Sequence, residues 1–244
     1  MASTIVLISG ANRGIGKALA ERYLALPNHT VIAANRDPKH PTSKDMEKLP
    51  KGPESKLILV KVEATSDTDA ADAVKELQDQ GIDHLDIVIA NSGITFGFTK
   101  AVDAKVEDMR RVMEVNVYGV LRLFQATLPL IRKAAAPKFV TIGSGAGSIE
   151  EMYPYPNAVY GPSKAAVHWL TKSINEDEDH IIAFVIDPGW TQTEMGDTTA
   201  QSVGLDNAPI TVAESCDGSF KVINEATRES GGKLWTYNGR KRAW

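Results

Sequence analysis

Short apolar runs alternate along this chain with longer amphipathic ones. Thr4 to Ile8, Thr30 to Ala34, Leu57 to Val62, Leu85 to Ala90, Lys138 to Ile142 and Ile181 to Ile186 are each five or six residues long and rich in Val, Ile and Leu. They lack polar alternation, which predicts strands covered on both faces. Helical spacing follows each of the earlier runs. Lys17 to Leu24 is one such stretch. Asp69 to Gln80 has Ala70, Ala73, Val74 and Leu77 as its buried stripe. Val106 to Ile131 reads as a single long helix, with Val112, Val120, Leu123 and Phe124 on its apolar face. Another helix opens near Tyr160 and a further one spans Val212 to Ala226, before a last short strand at Lys233 to Tyr237. Residues 38–56 are proline-rich and polar, with room for a short helix from Ser43 to Leu49. Residues 194–210 are polar and suit a lid. Strands alternating with helices predict an α/β domain, doubly wound on a parallel sheet with right-handed crossovers.

Polar residues then fall where such a sheet binds ligands, at the carboxyl ends of its strands. After the first strand comes Ser9-Gly10-Ala11-Asn12-Arg13-Gly14-Ile15-Gly16, opening a helix. Gly10 permits a tight turn, Gly14 lets backbone approach a pyrophosphate, and Gly16 lets the helix pack on the strand. The helix N-terminus offers free N–H groups and a positive dipole end to phosphates. The second strand ends in Asn35-Arg36-Asp37. An acidic residue at that tip selects the ribose hydroxyls of NAD, whereas an arginine accepts the 2′-phosphate of NADP. Asn35 at the tip, Arg36 beside it and Arg13 in the glycine turn favour NADP; Asp37 is the counterweight. The fourth strand ends in Asn91-Ser92-Gly93 and the fifth in Gly143-Ser144-Gly145. Tyr160 and Lys164 stand four apart, so a helix projects both from nearly one face. An ammonium close to a phenol favours the phenolate and should lower the tyrosine pKa, giving a proton donor and acceptor usable near neutrality.

Composition narrows the picture. The chain has 244 residues, 43% hydrophobic and 24% charged, as in an ordinary globular domain. Its formal charge of −4 argues against a nucleic-acid binder. The basic cluster Arg240-Lys241-Arg242 reads as a solvated tail. The single cysteine, Cys216, forbids an intrachain disulfide, fits a reducing compartment and reads as a small core residue. No run reaches transmembrane length and no signal peptide precedes the first strand, so cytoplasm is the expected location. No His/Cys/Asp/Glu spacing suggests a metal. His168 reads as a packed helix residue. Ser144, His168 and Asp187 could suggest a hydrolase triad, but Ile142 stands where the nucleophile elbow needs glycine.

Gly10-x-x-x-Gly14-x-Gly16, Asn91-Ser92-Gly93, Asn116, Ser144, Tyr160-x-x-x-Lys164 and Pro188-Gly189 together resemble the short-chain dehydrogenase/reductase family over essentially the whole chain. Within it, Arg13-Gly14-Ile15-Gly16-Lys17 and Ala33-Ala34-Asn35-Arg36-Asp37 are most similar to fungal norsolorinic acid ketoreductases and sniffer-like carbonyl reductases. The resemblance implies one domain over residues 1–244, with strand order 3-2-1-4-5-6-7 and substrate loops at 94–98, 145–158 and 190–210. It implies Tyr160 as general acid, Lys164 on the nicotinamide ribose, Ser144 on the substrate oxygen, and Asn116 distorting its helix and holding a relay water. It gives the cofactor NADP(H) to the turn from Gly10 through Asn12, Arg13 and Ile15 to Gly16. Asn91 and Gly93 would line the adenosine side, with Glu63 in the place of an aspartate near the adenine. Pro188, Gly189, Thr191 and Thr193 would lie beside the nicotinamide, Thr191 replacing a usual valine or isoleucine. Relatives assemble through helices that here would span 106–131 and 163–177, as dimers or tetramers, while sniffer-like ones are monomers.

The aromatic residues refine the substrate. Phe96, Phe98, Tyr153, Tyr155 and Trp190 fall in the segments expected to ring the nicotinamide, with Ile94, Met152 and Met195 as apolar fill. Those loops carry no Arg or Lys to dock a carboxylate or phosphate. The expected activity is therefore reversible NADPH-dependent reduction of a bulky, aromatic or polyketide-like ketone to a secondary alcohol. Two rivals remain: a silent NADP-binding sensor or scaffold, and an enoyl reductase, whose tyrosine and lysine are usually spaced more widely.

Overall fold

The computed structural model describes residues 3–244. The strands are β1 (Thr4–Ser9), β2 (His29–Asn35), β3 (Lys56–Lys61), β4 (Ile87–Ala90), β5 (Lys138–Ile142), β6 (Ile182–Asp187), β7 (Leu234–Thr236) and β8 (Lys241–Arg242). Among the described residues they form one eight-stranded sheet in the order β3-β2-β1-β4-β5-β6-β7-β8. The first seven run parallel, as the sequence predicts, and β8 joins antiparallel to β7, pairing Leu234 with Arg242. The helices are α1 (Gly14–Ala25), α2 (Pro41–Lys44), α3 (Asp69–Asp79), α4 (Val106–Met113), α5 (Gly119–Ile131), α6 (Tyr160–Asp177), α7 (Glu194–Gln201) and α8 (Val212–Glu225). No helix among the described residues is long and apolar enough to cross a membrane.

Successive residues of a strand point to opposite faces, and the uninterrupted apolar runs use both. Ile5 and Leu7 of β1 and Ile32 of β2 join the core beneath α3, α5 and α6, with Leu77, Leu123 and Val167. Val6, Ile8, Val31 and Ala33 join the opposite core beneath α1 and α8, with Leu19 and Ile223. Cys216 lies in this second core, fully buried, and burial pushes its thiol up to about 11, out of the reactive range.

Two expectations are corrected. The stretch from Val106 to Ile131 is two helices, α4 and α5, joined by a π turn at Glu114–Tyr118 with Asn116 at its centre. Pattern alone could not show this, because the apolar face continues on both sides of the widened turn. The second concerns Arg240-Lys241-Arg242, which is not a solvated tail: Lys241 and Arg242 form β8, and Arg242 is only 7% exposed.

Candidate active site

The turn after β1 has the conformation its glycines allow. Gly10 and Gly14 have φ of 63° and 53°, a region that side chains rarely occupy. Gly16 packs so closely that a side chain there would run into the backbone of Gly10 and the amide of Asn91. Asn91 in turn donates to Ser9 O and Gly10 O at 2.9 and 3.1 Å, clamping the turn to the end of β4. No side chain caps the N-terminus of α1, and its first turn has no acidic residue. Its free N–H donors and positive dipole end therefore suit an anion. From the other side of the sheet edge, the Thr193 methyl would touch any side chain added at Gly14. Thr193 also caps α7 by accepting the Gly196 N–H at 3.1 Å, while Thr191 is buried with its hydroxyl on Pro188 O. The turn is thus shaped for a phosphate-bearing dinucleotide, with the 188–193 segment as its far wall.

The tip of β2 departs from expectation at one residue. Asn35 is 1% exposed and faces inward. Its Oδ1 accepts the Ala11 N–H at 2.9 Å and its Nδ2 donates to Ser43 Oγ. It braces the glycine turn from below and presents no side chain to a ligand. Arg36 projects outward, with 80% of its side chain exposed, and pairs loosely with Glu63 at 3.7 Å. Arg13, also exposed, pairs with Glu194 at the start of α7. The Asn12 amide donates to Thr42 Oγ1 at 2.7 Å. Ile15 packs on the core beneath α1.

At the ends of β4 and β5 the expected catalytic residues come together. Lys164 is 5% exposed and donates to Ile142 O at 2.9 Å. Its Nζ lies 5.6 Å from the centre of the Tyr160 ring. The Ser144 side chain adjoins the Tyr160 hydroxyl and acts to lower its pKa. Asn116, buried in the π turn, accepts the Ile94 N–H at 2.8 Å and donates to Ile94 O and Ser163 Oγ, both at 3.0 Å. It therefore anchors the loop leaving β4. Gly93 sits between Asn116 and Lys164, so a side chain there would approach both polar ends.

The electrostatics of the pair differ from expectation. Burial around the Tyr160 hydroxyl pushes its pKa above the ordinary value; the Ser144 side chain works against this, and the Asp187 carboxylate adds to the rise. Burial also lowers Lys164 to about 8, with Asp187 opposing. Desolvation of both buried groups outweighs mutual assistance here. Lysine is the member of the pair that titrates near neutrality.

His168 is 2% exposed, and its Nε2 accepts the Ser144 N–H at 3.3 Å. Burial, with Lys164 and Arg242 nearby, lowers it to about 3, so it stays neutral. Its Nδ1 has no partner among the described residues, and Asp187 instead pairs with Arg242 at 2.8 Å. A hydrolase triad is not assembled.

The expected substrate residues separate into groups. Tyr155 stacks on Phe98 with ring centres 4.9 Å apart, and Trp190 meets both edge-on at 5.6 and 5.7 Å. The Trp190 indole is fixed by donating to Gly196 O. A cavity of about 570 Å³ lies against this loop, lined by Ala146, Met152, Tyr153, Tyr155, Pro156 and Ala165. Gly161 and Pro162, next to Tyr160 in the chain, also line it, whereas Tyr160 and Ser144 do not. Phe96 is exposed, with Arg111 of α4 stacked on its face at 4.9 Å, and Met195 on α7 is exposed as well. The loops themselves carry no cation, but Arg111 and Arg242 reach two of their aromatics from elsewhere in the chain, which local sequence could not reveal.

Fold, glycine turn and the Asn–Ser–Tyr–Lys set define a class, and the chain belongs to it: the pattern of the family "short chain dehydrogenase" matches residues 4–203. It is an oxidoreductase of that family. Among its relatives is the norsolorinic acid ketoreductase of Dothistroma septosporum, 40% identical over 249 residues, covering 99% of this chain and 92% of that one. The norsolorinic acid ketoreductase of Aspergillus parasiticus is 38% identical over 232 residues, covering 93% and 85%. Among solved structures, the NADPH-bound carbonyl reductase from chicken fatty liver superposes with a TM-score of 0.87 at 30% identity, over 100% of both chains.

Proposed function

We propose that this protein reduces a bulky aromatic or polycyclic ketone to a secondary alcohol with NADPH. The observation that carries the reading is the gathering of Ser144 and Tyr160 beside the buried Lys164, at the sheet edge that also holds the glycine turn. The cofactor would be held by the Gly10–Gly16 turn and the N-terminus of α1, by Asn91 and Gly93, by Pro188, Gly189, Thr191 and Thr193, and at its 2′-phosphate by Arg36 with Arg13. It supplies the hydride. Ser144 donates to the substrate carbonyl oxygen as negative charge develops on it. Tyr160, kept protonated by its surroundings, delivers the proton to that oxygen. Lys164, poised near neutrality, restores the Tyr160 proton and holds the ribose. Asn116 fixes Ile94 and so the wall of the site. The Phe98–Tyr155–Trp190 cluster and the adjoining cavity favour flat apolar substrates, in line with what the fungal relatives' names say of those proteins.

The test follows NADPH oxidation with an aryl or polycyclic ketone, a small aliphatic ketone and a charged keto acid. The aryl ketone should lead in kcat/KM by about tenfold or more, as expected when an extra ring is buried. Equal values, or preference for the keto acid, would overturn the substrate class. Tight NADPH binding without turnover of any ketone would point instead to a cofactor-binding sensor.

A further inference from the structure

The most heavily bonded charged side chain near the active site is one the mechanism does not use. Arg242 reaches from β8 into the space that glycine leaves at Gly145, where any side chain would meet both Arg242 Nη1 and Tyr153 Oη. Nη1 donates to Asp187 Oδ2 and to Tyr153 Oη, both at 2.8 Å. The Arg242 Nε lies 3.1 Å from Glu151 Oε2, and Nη2 donates to Glu151 O. The guanidinium also stacks on the Tyr153 ring at 4.6 Å. The residues that follow continue the attachment. Ser148 Oγ donates to Ala243 O, and the N–H groups of Ile149 and Glu150 both donate to Trp244 O at 3.0 Å. Residues 148–153 of the substrate-side loop are therefore tied to β8 and the two residues after it.

Resting on the ketoreductase reading above, we infer that Arg242 is a positioning residue: it holds residues 148–153 in place over the site and screens the Asp187 carboxylate from Tyr160 and Lys164. The groups around Asp187 are Arg242 from β8, Tyr153 from the loop, Tyr160 and Lys164 from α6, and Tyr237 beyond β7. Glu151 from the loop and His168 from α6 lie near Arg242 itself. Arg242 is the cation bonded to that carboxylate, which also accepts the Gly189 N–H. Without the guanidinium, Asp187 would bear on the catalytic pair unbalanced and disfavour loss of their protons. The loop would also lose its central anchor.

The experiment compares wild type with Arg242→Met, Arg242→Lys and Glu151→Gln in the full chain. Hydrogen exchange is read by mass spectrometry, alongside steady-state kinetics in both directions. In Arg242→Met, amides of 148–153 should exchange about tenfold faster while β1 and β2 keep their protection. KM for the ketone should rise about tenfold with NADPH affinity unchanged. The alkaline rise of alcohol oxidation should move up by roughly one pH unit. Arg242→Lys keeps the charge but loses the fork, so it should restore the pH profile and leave the loop exposed to exchange. Should Arg242→Met not fold, faster exchange of 148–153 in Arg242→Lys and Glu151→Gln carries the inference. Wild-type exchange in every folded variant would overturn it. If the wild type turns over no ketone, the ketoreductase reading falls, and the exchange data alone then decide whether Arg242 holds the loop.

Discussion

Tyr160→Phe should abolish turnover and leave NADPH binding within about twofold of wild type. The substitution removes one oxygen, the atom beside the Ser144 side chain, and leaves a ring of the same shape at the start of α6. Loss of a positioned proton donor typically costs about 10²- to 10⁴-fold in rate. Cofactor affinity should survive because the glycine turn and Lys164 are unaltered. The same hydroxyl fixes the sign of the pH dependence. Ketone reduction needs it protonated, and its pKa stands above the ordinary tyrosine value. Reduction should therefore stay level through neutral pH and fall only in alkali. Alcohol oxidation must remove a proton through Lys164, so it should rise with pH through about 8. Oxidation falling as pH rises, or substantial turnover by Tyr160→Phe, would remove Tyr160 from the mechanism.

Arg36→Ala should raise KM for NADPH by roughly 10- to 100-fold and hardly change KM for NADH. A hydrogen bond between a guanidinium and a phosphate contributes about 1.5 to 3 kcal/mol, and each 1.4 kcal/mol is tenfold. Arg36 is free to make it. Its side chain is 80% exposed, and among the described residues its only ion pair is a loose one to Glu63, the kind of exposed pair that contributes little. With Asn35 turned inward, Arg36 is the residue at the β2 tip that can recognise the extra phosphate. Arg13 is a weaker second because its guanidinium is already bonded to Glu194. A wild type that prefers NADH, or a variant that loses both cofactors equally, would contradict the assignment.

The parts of the molecule legible in the sequence are those whose physics is local. Strands covered on both faces must be apolar throughout, and β1, β2 and β5 appear as such runs. A turn that meets phosphates needs glycines at fixed places, and Gly10, Gly14 and Gly16 mark it. What the sequence hid depends on partners far along the chain. Lys241 and Arg242 form a strand, yet two charged residues carry no strand pattern; β8 is stabilised by the link from Arg242 to Asp187, 55 positions away. Asn35 looks like a ligand-facing tip residue until Ala11 and Ser43 claim its amide. The π turn around Asn116 leaves no mark in the hydrophobic pattern, because both helices it joins keep the same apolar face; the family resemblance, which implies a distorted helix at Asn116, is what points to it. The four-residue spacing of Tyr160 and Lys164 predicts a lowered phenol pKa, but burial, which no spacing encodes, outweighs that effect.

The central claim is that this chain transfers hydride from NADPH to a ketone carbon at the Tyr160 site. The most direct measurement is mass spectrometry of the alcohol formed from an aryl ketone and NADPH deuterated at C4 of the nicotinamide. One face of the labelled cofactor should deliver deuterium to the carbinol carbon in wild type, with no labelled alcohol from Tyr160→Phe. Absence of the label from the carbinol carbon with either face of the cofactor, or equal label from both proteins, would contradict the account.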